Sequence, residues 1–190
     1  MQQNFAFTAA AFEGGLVAVA IVLGWLLQKP PLATLSFNLR DTILGVVATL
    51  PPLGIFWLSI KLPLRPFQKI VQILDETLVP MFRHCGWTQL AILATLAGVG
   101  EEMLFRGIVQ ATAASWMGGH YGVIVGLLLA ALLFGLLHYL TATYAIMAGL
   151  IALYLGGIWL AVGNLLTPMV IHGLYDFLAL AYLIKRSVTQ

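Results

Sequence analysis

Apolar stretches of membrane-spanning length follow one another along the chain at 5–27, 42–60, 89–114, 121–139, 143–162 and 165–184, separated by short polar connections. About 20 apolar residues at about 1.5 Å each suffice to cross a bilayer core of about 30 Å. The pattern predicts an all-α, polytopic bundle of about six transmembrane helices. No Lys or Arg precedes Lys29 and no small-residue cleavage site ends the first stretch, so it reads as a retained span. Pro51-Pro52 falls inside the second and should kink it, since proline removes a backbone donor and crowds the preceding turn. Between 61 and 88 the pattern changes. Phe67, Ile70, Val71, Leu74, Leu78, Met81 and Phe82 recur at helical spacing, and Gln68, Lys69, Gln72, Asp75 and Glu76 occupy the other face. This predicts one amphipathic helix lying on the membrane surface, with a gate or substrate guide as the alternative.

Composition supports this reading. Hydrophobic residues make up 61% of the chain and charged ones 8%, and the mean hydropathy is +0.99, values of an integral membrane protein. There is no internal repeat, low-complexity tract or hinge, so residues 1–190 read as a single membrane domain. The net charge of +2 is spread over the connections, and no basic run suits nucleic acid. Membrane lipids and a membrane-associated protein or peptide are the expected partners; the pattern specifies no oligomeric state. Six spans put both termini on one side together with Lys61, Arg65, Lys69, Arg83, Lys185 and Arg186, against Lys29 and Arg40 opposite. The positive-inside rule makes that side cytoplasmic, with the plasma (inner) membrane of a prokaryote as the expected location. Cys85 stands alone, which excludes an internal disulfide, and lacks a nearby cue for thiolate activation.

Against this apolar background the charges of Glu101-Glu102-Met103-Leu104-Phe105-Arg106 stand out. Each ionisable side chain in mid-span opposes insertion by about 2.5–3.5 kcal/mol. Glu102 and Arg106 are four residues apart, on one face and in the favourable order for a pair, which suggests structural support. Glu101 is rotated about 100° away and needs a partner on another helix. Phe134 and His138 share one face in the next span, and His172 and Asp176 share one in the last. Glu13, near the start of the first span, is expected at the interface, or else facing the bundle. Glu101, His138, His172 and Asp176 are the candidate catalytic residues, because each would be costly facing lipid and together they form a plausible buried cluster.

A carboxylate in a low-dielectric cavity becomes a better base, and beside a histidine it can take a proton from water. A second histidine can donate to the oxyanion formed when that water attacks a peptide carbonyl. Glu101, His138 and His172 could instead hold zinc with a position left open for water. The compact His-Glu-x-x-His zinc helix is absent. No serine adjoins a histidine, which disfavours serine catalysis.

Glu-Glu-x-x-x-Arg at 101–106, Phe-x-x-x-His at 134–138 and His-x-x-x-Asp at 172–176 resemble the three ordered motifs of the CPBP family, intramembrane proteases that include the type II CAAX prenyl endopeptidases. The resemblance covers residues 97–180, the expected catalytic core. It implies an intramembrane peptidase in which Glu101 and His138 activate water while His172 and residue 176 stabilise the oxyanion. It also implies an active site within the membrane, reached from the cytoplasmic side. Those endopeptidases typically carry Asn where this chain has Asp176, and an ionised carboxylate cannot donate to an oxyanion, so Asp176 must be protonated, orient His172 or bind a metal. Members of the family are often labelled metalloproteases; a metal-free glutamate mechanism accounts for the same residues and is preferred, so no cofactor is expected, with zinc the alternative. A nonproteolytic scaffold or bacteriocin-immunity role, and a proton-coupled transporter, are the competing functions.

Overall fold

The computed structural model describes residues 2–188, and no strand occurs among them. Helices follow in the order α1 (Gln2–Leu26), α2 (Leu39–Ala48), α3 (Leu50–Lys61), α4 (Arg65–Ile73), α5 (Val79–Phe82), α6 (Trp87–Glu102), α7 (Ala111–Met117), α8 (Gly119–Leu137), α9 (Ala142–Val162) and α10 (Leu166–Val188). Two π-helical stretches, Leu74–Leu78 and Met103–Gln110, join α4 to α5 and α6 to α7. Among the described residues five stretches are long and apolar enough to cross a membrane: Phe7–Leu26, Leu39–Lys61, Gly119–Leu137, Ala142–Val162 and Leu166–Ser187. The remaining expected span, 89–114, is helical throughout but divided at its charged centre, where α6 gives way to the π-helical turn carrying Arg106.

The proline pair acts as expected. The second span breaks at Thr49, and α3 begins with Pro51 and Pro52 in its first turn, where their missing N–H groups cost little. The amphipathic segment forms as α4, the first π stretch and α5, but its apolar face turns to the protein. Ile70, Leu74 and Val79 are buried together with Leu183 of α10, against Phe56, Ile60, Tyr144 and Met147. Asp75 on the polar side pairs with Arg186 near the end of α10. The apolar face of this segment thus packs on α3, α9 and α10.

Helix α6 packs chiefly on α10 and α1, and α8 on α9. At Gly118 and Gly119, φ is +66° and +58°, the left-handed region that glycine enters without a Cβ penalty. The chain reverses there between α7 and α8. At the end of α1 remote from Glu13, Asn164 donates to Asp41 Oδ2 at 2.7 Å and to the Ser36 carbonyl at 2.8 Å, which ties the α1–α2 connection to the start of α10.

Candidate active site

Glu101 and Glu102 close α6, and the π-helical turn that follows carries Arg106. Both members of the expected Glu102–Arg106 pair are almost fully buried, with Nη1 2.9 Å from Oε1. Arg106 Nη2 donates to the Ala152 carbonyl of α9 at 2.7 Å, and the guanidinium lies 5.6 Å from the Phe134 ring centre. One buried cation therefore holds α8, α9 and the α6–α7 junction together. Glu102 does more than neutralise it, because Oε1 also lies 2.9 Å from Nδ1 of His172. A carboxylate facing arginine accepts, so His172 carries a hydrogen on Nδ1 and turns Nε2 towards the cavity.

His138 ends α8, and its Nδ1 lies 2.8 Å from the Phe134 carbonyl. A carbonyl only accepts, so this nitrogen carries the hydrogen and the neutral ring presents the lone pair of Nε2. The imidazole stacks on Phe134 with centres 4.2 Å apart and planes at 12°, and Phe134 meets Phe105 edge-on at 4.9 Å. Phe134, expected as support, thus meets His138 through both its ring and its own carbonyl.

The free faces of both histidines converge on Glu101. Its Oε2 is 3.7 Å from His138 Nε2 and 4.0 Å from His172 Nε2, and it is buried without a direct hydrogen-bond partner. Asp176, one turn along α10, places Oδ2 3.5 Å from His172 Nε2. By span counting Glu101 lies at mid-span and His138 at a span end, a mismatch of depth. The hairpin resolves it, because the two residues stand nearly equal lengths of helix before and after the turn at Gly118.

All four residues line one cavity of about 290 Å³ whose walls are otherwise mostly apolar: Phe56 of α3, Val71 and Leu74 from the amphipathic segment, and Met147 and Ile151 of α9. Glu13 lines it too, so its expected interfacial placement is replaced by one inside the bundle. The signal for this was its position as the lone charge on α1. Cys85, in the turn before α6, has its thiol pushed above the usual range by partial burial, the opposite of an activated nucleophile.

As they stand, Glu101, His138 and His172 are spaced more widely than the ligands of an ideal tetrahedral zinc. Ligands at about 2.0–2.1 Å in a tetrahedron stand roughly 3.3–3.4 Å apart, closer than the 3.7 and 4.0 Å found. No group of three His, Cys, Asp or Glu at metal-binding spacing occurs among the described residues.

Residues 83–178 match the family model for type II CAAX prenyl endopeptidase Rce1-like proteins. The matched region holds Glu101, Glu102, Arg106, Phe134, His138, His172 and Asp176 and leaves Glu13 outside. Neither the curated proteins nor the solved structures gave a match. The family model covers half of the chain and all three motifs whose side chains converge on the cavity, and the chain is a helical integral membrane protein belonging to the type II CAAX prenyl endopeptidase Rce1-like family.

Proposed function

We propose that this protein is an intramembrane endopeptidase that hydrolyses a peptide bond of a membrane-associated protein or peptide with water activated by Glu101 and His138. One observation carries the reading: Glu101 Oε2 is buried without a direct partner, between two histidine nitrogens and against an apolar cavity. Separations of 3.7 and 4.0 Å are too long for direct hydrogen bonds but suit a bridging water at about 2.8 Å from each atom.

In the first step the water oxygen bonds to the scissile carbonyl carbon and its proton passes to the Glu101–His138 pair. His138 receives it on Nε2, because Nδ1–H is committed to the Phe134 carbonyl. The negative charge then on the carbonyl oxygen is met by His172. With Nδ1–H held by Glu102, donation from Nε2 uses the imidazolium, and Asp176 at 3.5 Å orients that nitrogen. Of the three roles open to Asp176, orientation of His172 fits this geometry. Collapse of the tetrahedral intermediate breaks the C–N bond, and the stored proton leaves with the amine. The apolar walls suit a hydrophobic segment, and the amphipathic segment over them suits a guide for its entry. Both termini are assigned to the cytoplasmic side on charge grounds.

The test is cleavage of a single-span reporter by purified protein in liposomes. General-base catalysis contributes about 10²–10⁴-fold, so Glu101→Gln and His138→Ala should each lower kcat by at least about 100-fold. Activity should persist in chelator. A reporter left intact in every lipid tested would sink the proposal, and activity lost to chelator and restored by zinc would sink the metal-free mechanism.

A further inference from the structure

Among the described residues that line the cavity there is no lysine or arginine, yet three carboxylates face it: Glu101, Asp176 and Glu13. Two have work in the proposed reaction. Glu13 does not, and it lies outside the family-matched region on a helix with no other charge. An ionisable group on an apolar spanning helix is costly to keep there without a function. Its Oε2 is buried with no hydrogen-bond partner.

The basic side chains near the site are already engaged. Arg106 serves Glu102 and the Ala152 carbonyl. His138 and His172 direct Nδ1 to Phe134 and Glu102 and turn Nε2 towards Glu101. Glu13 therefore confronts the cavity without a cation of its own.

Its position is also built rather than incidental. A Cβ at Gly100 would stand 2.8 Å from the Glu13 carbonyl oxygen and 3.2 Å from Leu16 Cβ. Only the missing side chain at 100 lets α1 lie this close to α6. The crossing fixes Glu13 beside the residue preceding Glu101. Glu13 is thereby held on rigid backbone next to the reacting carboxylate, as recognition of a substrate group requires.

We propose that Glu13 is a specificity-determining residue that recognises a cationic side chain, lysine or arginine, near the scissile bond of the substrate. The inference rests on the proposed peptidase reading. Burial of the substrate cation against Glu13 supplies the missing partner on both sides, whereas a neutral chain leaves the carboxylate oxygen unsatisfied and an acidic one adds a fourth negative charge.

The experiment compares synthetic single-span peptides that carry lysine or its uncharged isostere norleucine at each position flanking the cleaved bond. They are presented to the full-length protein in phosphatidylcholine vesicles, so that no anionic lipid competes for the cation. The kcat/KM ratio of lysine to norleucine should reach about tenfold at one position, the scale of a charge-assisted hydrogen bond. Glu13→Gln should bring the ratio close to one, and Glu13→Asp should preserve a preference for lysine. A wild-type ratio near one or below at every position, or the same ratio in wild type and Glu13→Gln, overturns the proposal.

A second arm measures binding of the labelled peptides to Glu101→Gln protein, with and without Glu13→Gln. If wild type cleaves nothing but binding still favours lysine in a Glu13-dependent way, the peptidase reading falls and this recognition role stands. If cleavage proceeds with no Glu13-dependent preference in either arm, the recognition role falls alone.

Discussion

Removing the Glu102 carboxylate tests how the site is held together. Glu102 is fully buried, and its Oε1 serves both Arg106 and His172 at 2.9 Å. In Glu102→Ala the guanidinium would remain buried with its Ala152 contact but without its counterion, a loss of about 3–5 kcal/mol. The pair is not fully satisfied even in the native protein, because Glu102 Oε2 and Arg106 Nε are buried without partners. Replacing both residues by apolar ones of similar volume, Glu102→Leu with Arg106→Met, should therefore recover most of the lost stability. Activity should behave differently. Either change strips His172 Nδ1 of its acceptor and frees the ring to rotate, so both the single and the double variant should lose about 10²–10³-fold in kcat, the scale of a misplaced oxyanion donor. The assay is reversible unfolding in mixed micelles alongside reporter cleavage. A Glu102→Ala protein within about 1 kcal/mol of wild type would refute the buried-pair account. A double variant with full activity would refute the positioning of His172 by Glu102.

Two further outcomes follow from packing. Gly98→Ala places a Cβ 2.7 Å from the backbone nitrogen and 3.0 Å from the Cα of Gly173, forcing apart the helices that carry Glu101 and His172; a loss of about 1–3 kcal/mol in the unfolding assay and a fall in kcat are expected. Phe134→Ala removes a buried ring that stacks on His138 and packs on Phe105. It should cost about 3–5 kcal/mol in stability, and cleavage should fall further than that of an equally destabilised variant remote from the cavity.

Much of the architecture could be read from the chain because membranes impose a strong rule: backbone polar groups must be satisfied within each segment, so long apolar stretches become helices. That rule yields the spans, the break near Pro51-Pro52 and the amphipathic character of 65–82. The candidate residues were legible for a related reason, since an ionisable group within such stretches is too costly to be incidental. Spacing within one helix also predicted the Glu102–Arg106 pair.

What the sequence left open lay between helices. Periodicity says which residues share a face but not which neighbour that face meets. Ile70 and Leu74 share the apolar face of an amphipathic segment, and only the packing shows that this face meets α10 and lines the cavity. Glu13 had two local readings, and the crossing at Gly100 turned it inward. The apparent difference in depth between Glu101 and His138 vanished once the turn at Gly118 set the two helices side by side. Glu102 likewise proved to hold His172 as well as Arg106, a contact across 70 positions that no local pattern encodes. The sequence by itself determined the helices, the membrane setting and the family, because these depend on local composition and ordered motifs. Only the tertiary structure decided which side chains meet at Glu101, because that depends on close helix crossings, a reversed turn and the direction of each buried donor.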